Sequence, residues 1–319
     1  MMQPVAAASR WLDRTHPGDC RRLLRQMVED GVRVRMCVTS PPYYRLRTYL
    51  PADHPYESLE LGTEDSPAAF VAHLVDVFRL VRDLLTDDGT LWIVIGDTYA
   101  TRRSWQAPSS KGGPKHSPAQ GMIGAMRLSE GLKSKDLIGI PWMLAFALRD
   151  DGWYLRQDII WAKPNPMPES TTDRCTRSHE YLFLLAKQER YHFDHTAIME
   201  PSVSLRGPGN IRPVRLPPGQ HGYGTNGHLR GALHKAGPRQ TRHKRDVWTI
   251  VKKPFRGAHF AVFPEELVTP CILAGSREDD TVLDPFMGSG TTASVAKRLH
   301  RRFIGCELNP SFLDLQSLC

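Results

Sequence analysis

Near its C-terminus the chain reads Thr281-Val282-Leu283-Asp284-Pro285-Phe286-Met287-Gly288-Ser289-Gly290-Thr291-Thr292-Ala293, continues through Val295 to Leu299, and then reads Phe303-Ile304-Gly305-Cys306-Glu307. An apolar run ending in Asp284, a glycine turn, a helical pattern and a second apolar run ending in Glu307 spell strand, turn, helix, strand, the rhythm of an α/β sheet. Gly-x-Gly lets the backbone approach a ligand closely, and a carboxylate at the tip of the next strand can accept hydrogen bonds from two ribose hydroxyls. Glu307 stands 17 residues after Gly290, close to the spacing of about 20 that this role requires.

Gly288 to Ala293 also satisfies the Gly-x-Gly-x-x-Gly/Ala pattern of dinucleotide-binding turns, which raises a nicotinamide enzyme as an alternative. Position argues against it. Only 26 residues follow Ala293, too few for the rest of such a sheet, and Pro285-Phe286 stands where that pattern usually has neither residue. The other strands must come from earlier in the chain, in circularly permuted order. Val32, Val34, Met36 and Val38 alternate as a strand and run into Thr39-Ser40-Pro41-Pro42-Tyr43-Tyr44, where two prolines end the ladder. Ser66-Pro67 reads as a helix start, followed by Phe70, Leu74, Val77, Val81 and Leu84 at helical spacing and a turn at Thr86-Asp87-Asp88-Gly89. Leu91 to Ile95 is a continuous apolar run, expected of a strand buried on both faces. Ile140–Leu148 reads as a helix, Leu155–Trp161 and Tyr181–Leu185 as strands, and Pro264–Gly275 as a helix. Residues 101–135 read as a long loop, a feature that is usually functional or disordered.

The chain has 319 residues, enough for one large or two modest domains. No stretch approaches the roughly 18 apolar residues of a membrane span, and the N-terminus lacks the apolar centre of a secretory signal. Six scattered cysteines without a Cys-x-x-Cys pair argue against a zinc site or a disulfide scaffold and suit a reducing cytoplasm. Lys and Arg exceed Asp and Glu by 42 to 34, a net charge of +8, and a basic balance points to a polyanionic partner such as nucleic acid. The excess concentrates in residues 201–245, where Arg206, Arg212, Arg215, Arg230, Lys235, Arg239, Arg242, Lys244 and Arg245 occur with no Asp or Glu. That stretch reads either as a disordered basic loop or as a surface that neutralises phosphates.

Ser40-Pro41-Pro42-Tyr43 lies at the carboxyl end of a strand, where open α/β sheets place their sites. It also fits a plain proline turn followed by a core tyrosine. Methylation of an exocyclic base amine gives the four residues a sharper meaning. The lone pair of such an amine is conjugated with the ring and is a poor nucleophile. Acceptors placed on its hydrogens let the nitrogen pyramidalise; a rigid Pro-Pro turn can aim a carbonyl, and the Ser40 hydroxyl can supply a second acceptor. Tyr43 offers a flat face to a base swung out of the duplex.

Ser-Pro-Pro-Tyr followed much later by Asp-Pro-Phe-Met-Gly-Ser-Gly-Thr-Thr resembles the amino-group DNA methyltransferases, specifically their permuted beta class. There the catalytic motif precedes the S-adenosylmethionine motif and a target-recognition region lies between. Gly18-Asp19-Cys20, Leu91 to Asp97, Asp158 to Pro164, His179 to Phe183 and His259 to Pro264 resemble other elements of the class, so the likeness covers most of the chain. The resemblance implies a Rossmann-like S-adenosylmethionine-dependent methyltransferase fold of class α/β, circularly permuted. Residues 1–200 would form the catalytic half, 201–250 the basic target-recognition region and 251–319 the cofactor half. It implies that Ser40, Pro41, Pro42 and Tyr43 hold the target base. It further implies that Asp19, His259, Asp284, Pro285, Phe286, Gly288, Gly290, Thr291, Thr292 and Glu307 surround the cofactor. Phe286 also fits core packing, Asp19 a helix cap and His259 an ordinary satisfied histidine.

In this class serine at the first catalytic position is commoner among cytosine-N4 enzymes, whereas adenine-N6 enzymes mostly carry Asp-Pro-Pro-Tyr. The resemblance therefore implies N4-methylation of cytosine in double-stranded DNA, with adenine N6 as the alternative. No metal is expected, since a sulfonium methyl is already activated. A cytosine-C5 enzyme would need a Pro-Cys thiolate, and the lone such pair, Pro270-Cys271, falls inside a helix and reads as core. A regulator keeping a dead methyltransferase fold would carry a broken motif, and both motifs are intact. A homodimer would suit a palindromic site, and a cognate endonuclease would place the protein in a restriction–modification pair.

Overall fold

The computed structural model describes residues 8–50, 53–100, 131–202, 240–251 and 263–316. In chain order the elements are β1 (Arg14–Pro17), α1 (Cys20–Glu29), β2 (Val34–Thr39), α2 (Pro67–Leu84), β3 (Leu85–Ile95), α3 (Ile140–Asp150), β4 (Tyr154–Ala162) and β5 (His179–Ala186). They continue with β6 (Glu200–Pro201), β7 (Thr241–Arg242), β8 (Val247–Thr249), α4 (Glu265–Gly275), β9 (Thr281–Asp284), α5 (Thr291–Arg298), β10 (Arg302–Glu307) and α6 (Pro310–Gln316).

Eight strands form one sheet in the order β1-β10-β9-β2-β3-β5-β4-β8. The run from β1 to β3 is parallel, β5 is antiparallel to both β3 and β4, and β8 is parallel to β4. The two central strands, β9 and β2, come from opposite ends of the chain, with Met36 beside Val282 and Cys37 beside Leu283. Alternation along β2 distributes side chains to two helical layers. Cys37 joins the cluster formed with α1, α2 and α3, while Met36 faces α4 closely enough that a Cβ on Gly275 would meet its Sδ at 3.0 Å. Cys271 is buried in α4 and donates to the Leu267 carbonyl, a core residue as its sequence position implies.

Thr86–Gly89, expected as a turn between helix and strand, belongs to β3. Its register with β2 jumps from Val34–Leu85 to Met36–Thr90, so the segment bulges without ending the strand. A Cβ at Gly89 would lie 2.9 Å from the Thr86 carbonyl oxygen and 3.0 Å from that of Arg35, so only glycine closes this bulge. The first strand also starts later than its alternation suggests, at Val34 and not Val32.

The start of α3 has a cap that local sequence does not supply. Gly139 at the N-cap position has no side chain, and Asp97, at the end of β3, accepts from the backbone N–H of Gly139 and of Ile140, both at 3.0 Å. Asp97→Ala is expected to lower stability by about 1–2 kcal/mol, as loss of a cap does, read as a lower midpoint in urea. An unchanged midpoint would remove Asp97 from that role.

By compactness the chain divides after Asp194 and again before Asp246. The segments on either side of the basic stretch thus build one body, and the smaller unit is His195–Arg245, where the sequence suggested 201–250. Within that unit β6 and β7 pair antiparallel, and Glu200 Oε1 accepts from Arg242 Nε and Arg245 Nε, each at 2.8 Å. Arg206, Arg212, Arg215, Arg230, Lys235 and Arg239 lie outside the described residues, as does most of the long loop read at 101–135. Among the described residues no helix is long and apolar enough to cross a membrane, and no cluster of His, Cys, Asp and Glu could hold a metal ion.

Candidate active site

From β9 the chain runs through α5 to β10 and the β1 edge; from β2 it runs through α2 to β3 and the opposite edge. The carboxyl ends of β9 and β2 are therefore the point where the winding reverses, which is where open α/β sheets bind ligands. Asp284 ends β9 and is fully buried. It accepts from Thr39 Oγ1 at 2.5 Å, Thr292 Oγ1 at 2.6 Å and the Phe286 N–H at 3.0 Å. Burial raises its pKa to about 6, against the pull of these hydrogen bonds. Asp284 thereby ties together the ends of two strands, 245 residues apart in sequence, and the first turn of α5.

The glycine turn follows directly. Gly288 has φ of +56° and Gly290 of +91°, in the left-handed region that glycine occupies without penalty. The Gly288 N–H donates to Glu307 Oε2 at 2.7 Å, and the Asn309 N–H donates to Oε1 at 2.8 Å. Burial lifts the Glu307 pKa to about 7. Asp19 caps α1, accepting from the Arg21 N–H at 3.0 Å, and the adjoining Gly18 N–H donates to the Glu307 carbonyl at 2.8 Å.

A cavity of about 180 Å³ opens over this reversal point. Of the residues expected at the site, Asp19, Ser40, Pro41, Pro42, Tyr43, Pro285, Phe286, Gly288, Thr291 and Glu307 line it. Asp284, Gly290 and Thr292 do not: Asp284, expected beside the cofactor, is spent on the struts just described. His259 lies outside the described residues. The cavity fits a nucleoside-bearing cofactor on the chain's own chemistry. A carboxylate has acceptor capacity beyond two backbone N–H groups, and left-handed glycine backbone forms the adjoining wall.

At the opposite wall stand Trp161, Lys163 and Glu180, which the sequence reading did not single out as site residues. Tyr43 Oη donates to Glu180 Oε2 at 2.7 Å, Lys163 Nζ donates to Glu180 Oε1, and Lys163 Nζ lies 4.2 Å from the Trp161 ring centroid. The register explains the meeting, since Trp161 on β4 pairs with Glu180 on β5. A usable signal was present: Glu180 is the one carboxylate in the otherwise apolar run His179-Glu180-Tyr181-Leu182-Phe183-Leu184-Leu185. Tyr49, Glu60, Asn309 and Phe312 also line the cavity. Glu60 accepts from the Tyr49 N–H at 2.5 Å and Asn309 Nδ2 donates to the Tyr49 carbonyl at 2.8 Å, pinning the segment after Tyr43.

The pattern of the N6_N4_Mtase family, described as DNA methylase, matches residues 34–317. The type II methyltransferase M.Cfr9I of Citrobacter freundii is 44% identical over 299 residues, covering 93% of this chain and 84% of that protein. M.SmaI of Serratia marcescens is 41% identical over the same length, covering 93% and 87%. Among solved structures, the PvuII DNA methyltransferase, described as cytosine-N4-specific, superposes with a TM-score of 0.58 at 17% identity, covering 95% of this chain and 84% of that one. A DNA modification methylase of Thermus thermophilus complexed with S-adenosyl-L-methionine gives 0.54 at 25% identity, covering 95% and 90%. A match from the first central strand to the last helix, with relatives above 40% identity over nine-tenths of the sequence, places this chain in the N6_N4_Mtase family of DNA methylases.

Proposed function

We propose that this DNA methylase transfers the methyl group of S-adenosylmethionine to the exocyclic N4 amine of cytosine in double-stranded DNA. The observation that carries the reading is a single cavity bounded by Ser40-Pro41-Pro42-Tyr43 on one side and by Gly288 and Glu307 on the other. The order of these motifs along the chain is that of the permuted beta class. Serine at position 40 supports cytosine over adenine, as does the likeness in fold to a cytosine-N4-specific enzyme.

When bound, S-adenosylmethionine supplies an electrophilic methyl group on a sulfonium. Glu307 would receive the ribose hydroxyls, with Gly288 giving the close backbone approach and Phe286 and Pro285 the apolar wall. Ser40 Oγ and the Pro41 carbonyl would accept the two hydrogens of the flipped amine and so free its lone pair for in-line attack. The ring of Tyr43 would stack on the base, and most of the rate gain would be positioning. The basic residues of 201–245 would hold phosphates. Likeness to proteins named type II methyltransferases supports a place in bacterial restriction–modification, with a cognate endonuclease, in the cytoplasm, and a homodimer would match a palindromic site.

The test is expression in a host lacking DNA methylation, followed by modification-sensitive single-molecule sequencing and mass spectrometry of digested DNA. N4-methylcytosine in one short motif is the expected product. N6-methyladenine alone would overturn the choice of base, and unmodified DNA from a folded protein that binds cofactor and duplex would overturn catalysis itself.

A further inference from the structure

A serine hydroxyl is an ambiguous partner for an amine. It carries one donor hydrogen as well as two lone pairs, whereas the aspartate of the Asp-Pro-Pro-Tyr variant accepts by nature. If the Ser40 hydrogen points at the target amine, two donors face each other and the nitrogen gains nothing. Something must take that hydrogen away.

The far wall of the cavity does this through a chain of fixed polarity. Lys163 has only donors and gives one to Glu180 Oε1. Glu180 Oε2 receives the Tyr43 hydroxyl at 2.7 Å. Burial and the charge of Glu180 push the Tyr43 pKa well up, so the phenol keeps its proton and donates. Ser40 acts on the same phenol oxygen in the sense that lowers its pKa, that of a donor. The Tyr43 ring is held from below, where a Cβ on Gly96 would come within 2.7 Å of Cε2. Each group in the order Lys163, Glu180, Tyr43, Ser40 fixes the direction of the next.

Resting on the amine-methylation reading above, we propose that Glu180, acting through Tyr43, is the positioning residue that turns the Ser40 hydroxyl into an obligate acceptor toward the target amine. The relay moves no atom of the reaction; it sets which way the hydroxyl hydrogens point before transfer.

Glu180→Gln inverts the chain with little change of shape. Lys163 still demands an oxygen, so the amide NH2 turns to Tyr43; the Tyr43 hydrogen then turns to Ser40, and the Ser40 hydrogen turns to the amine. The experiment is single-turnover transfer of a labelled methyl group to DNA from an unmethylated host, with cofactor affinity and thermal midpoint measured alongside. Glu180→Gln is expected to slow transfer about thirtyfold, the scale of one mispaired polar contact, with cofactor affinity unchanged. In a Ser40→Ala background, which has no hydroxyl to orient, and in a Ser40→Asp background, which has no hydrogen to misdirect, the same change is expected to cost less than about threefold. A native rate for Glu180→Gln, or an equal loss in all three backgrounds, would overturn the positioning role and leave Glu180 a packing contact. Absence of transfer by the unaltered protein would instead overturn the reading on which the proposal rests.

Discussion

Gly288→Val is expected to weaken S-adenosylmethionine binding by about a hundredfold or more while leaving the protein folded. Both backbone groups of Gly288 are pinned. Its N–H donates to Glu307 Oε2 at 2.7 Å, and its carbonyl receives Gln316 Nε2 at 2.6 Å. At φ of +56° a β-branched residue carries about 1–3 kcal/mol of strain. Relaxing that strain means releasing one of the two hydrogen bonds, and releasing the first swings the Glu307 carboxylate. The γ-methyls add bulk to a cavity wall where the proposed function has the cofactor in contact with backbone. About 2.7 kcal/mol corresponds to a hundredfold in Kd. Calorimetric titration of cofactor into the variant measures it, with circular dichroism and the thermal midpoint confirming the fold. Affinity within about threefold of the native value would show that the cofactor does not approach this turn.

The parts of the site that were legible in the sequence are those in which adjacent residues do the work. Gly288 and Gly290 declare a turn because so few residues tolerate positive φ, and Pro41-Pro42 declares the end of a strand because proline cannot donate to a ladder. The adjacency of β9 and β2 was foreseen only as a permuted order, from the shortage of residues after Ala293. Contacts made across the sheet were not legible. Glu180 reaches Tyr43 from 137 residues away, by a register between antiparallel strands that no local pattern encodes. Asp97 caps a helix that starts 43 residues later, where the usual expectation is a side chain next to the helix. Asp284 misled for the opposite reason. Its place in the motif suggests a ligand, but three short hydrogen bonds to protein groups make it a strut. The bulge at Thr86–Gly89 was read as a turn because its composition is that of a turn; the pairing of Leu85 on one side and Thr90 on the other keeps it within the strand.

The pH dependence of cofactor binding separates Glu307 from Asp284, and the two effects have opposite signs. Burial holds the Glu307 carboxyl at about 7, against an ordinary value of 4.5. A carboxyl whose folded pKa is raised favours the folded state while protonated, so its contribution is fully present below pH 4.5 and is lost as pH rises through about 7. The difference corresponds to a cost on the order of 3 kcal/mol for the ionised form in the cofactor-free protein. Asp284, raised to about 6, acts in the same direction over a lower range. Cofactor-free stability is therefore expected to fall between about pH 5 and pH 8. Binding should go the other way. Two ribose hydroxyls need acceptors, and the carboxylate offers more than the protonated acid, so the cofactor Kd is expected to drop as pH rises. The drop should approach about tenfold per pH unit below pH 7, about a hundredfold from pH 5 to pH 7, and level off above. Glu307→Gln should flatten this profile and raise the cofactor-free midpoint at pH 8, because it removes the buried charge together with the acceptor. Asp284 has no exposed surface and does not line the cavity, so Asp284→Asn should alter the stability profile and leave the slope of binding against pH in place. Urea melts and cofactor titrations from about pH 5 to pH 8 on the three proteins measure both signs. A binding slope that survives Glu307→Gln would move the ribose contact to another group.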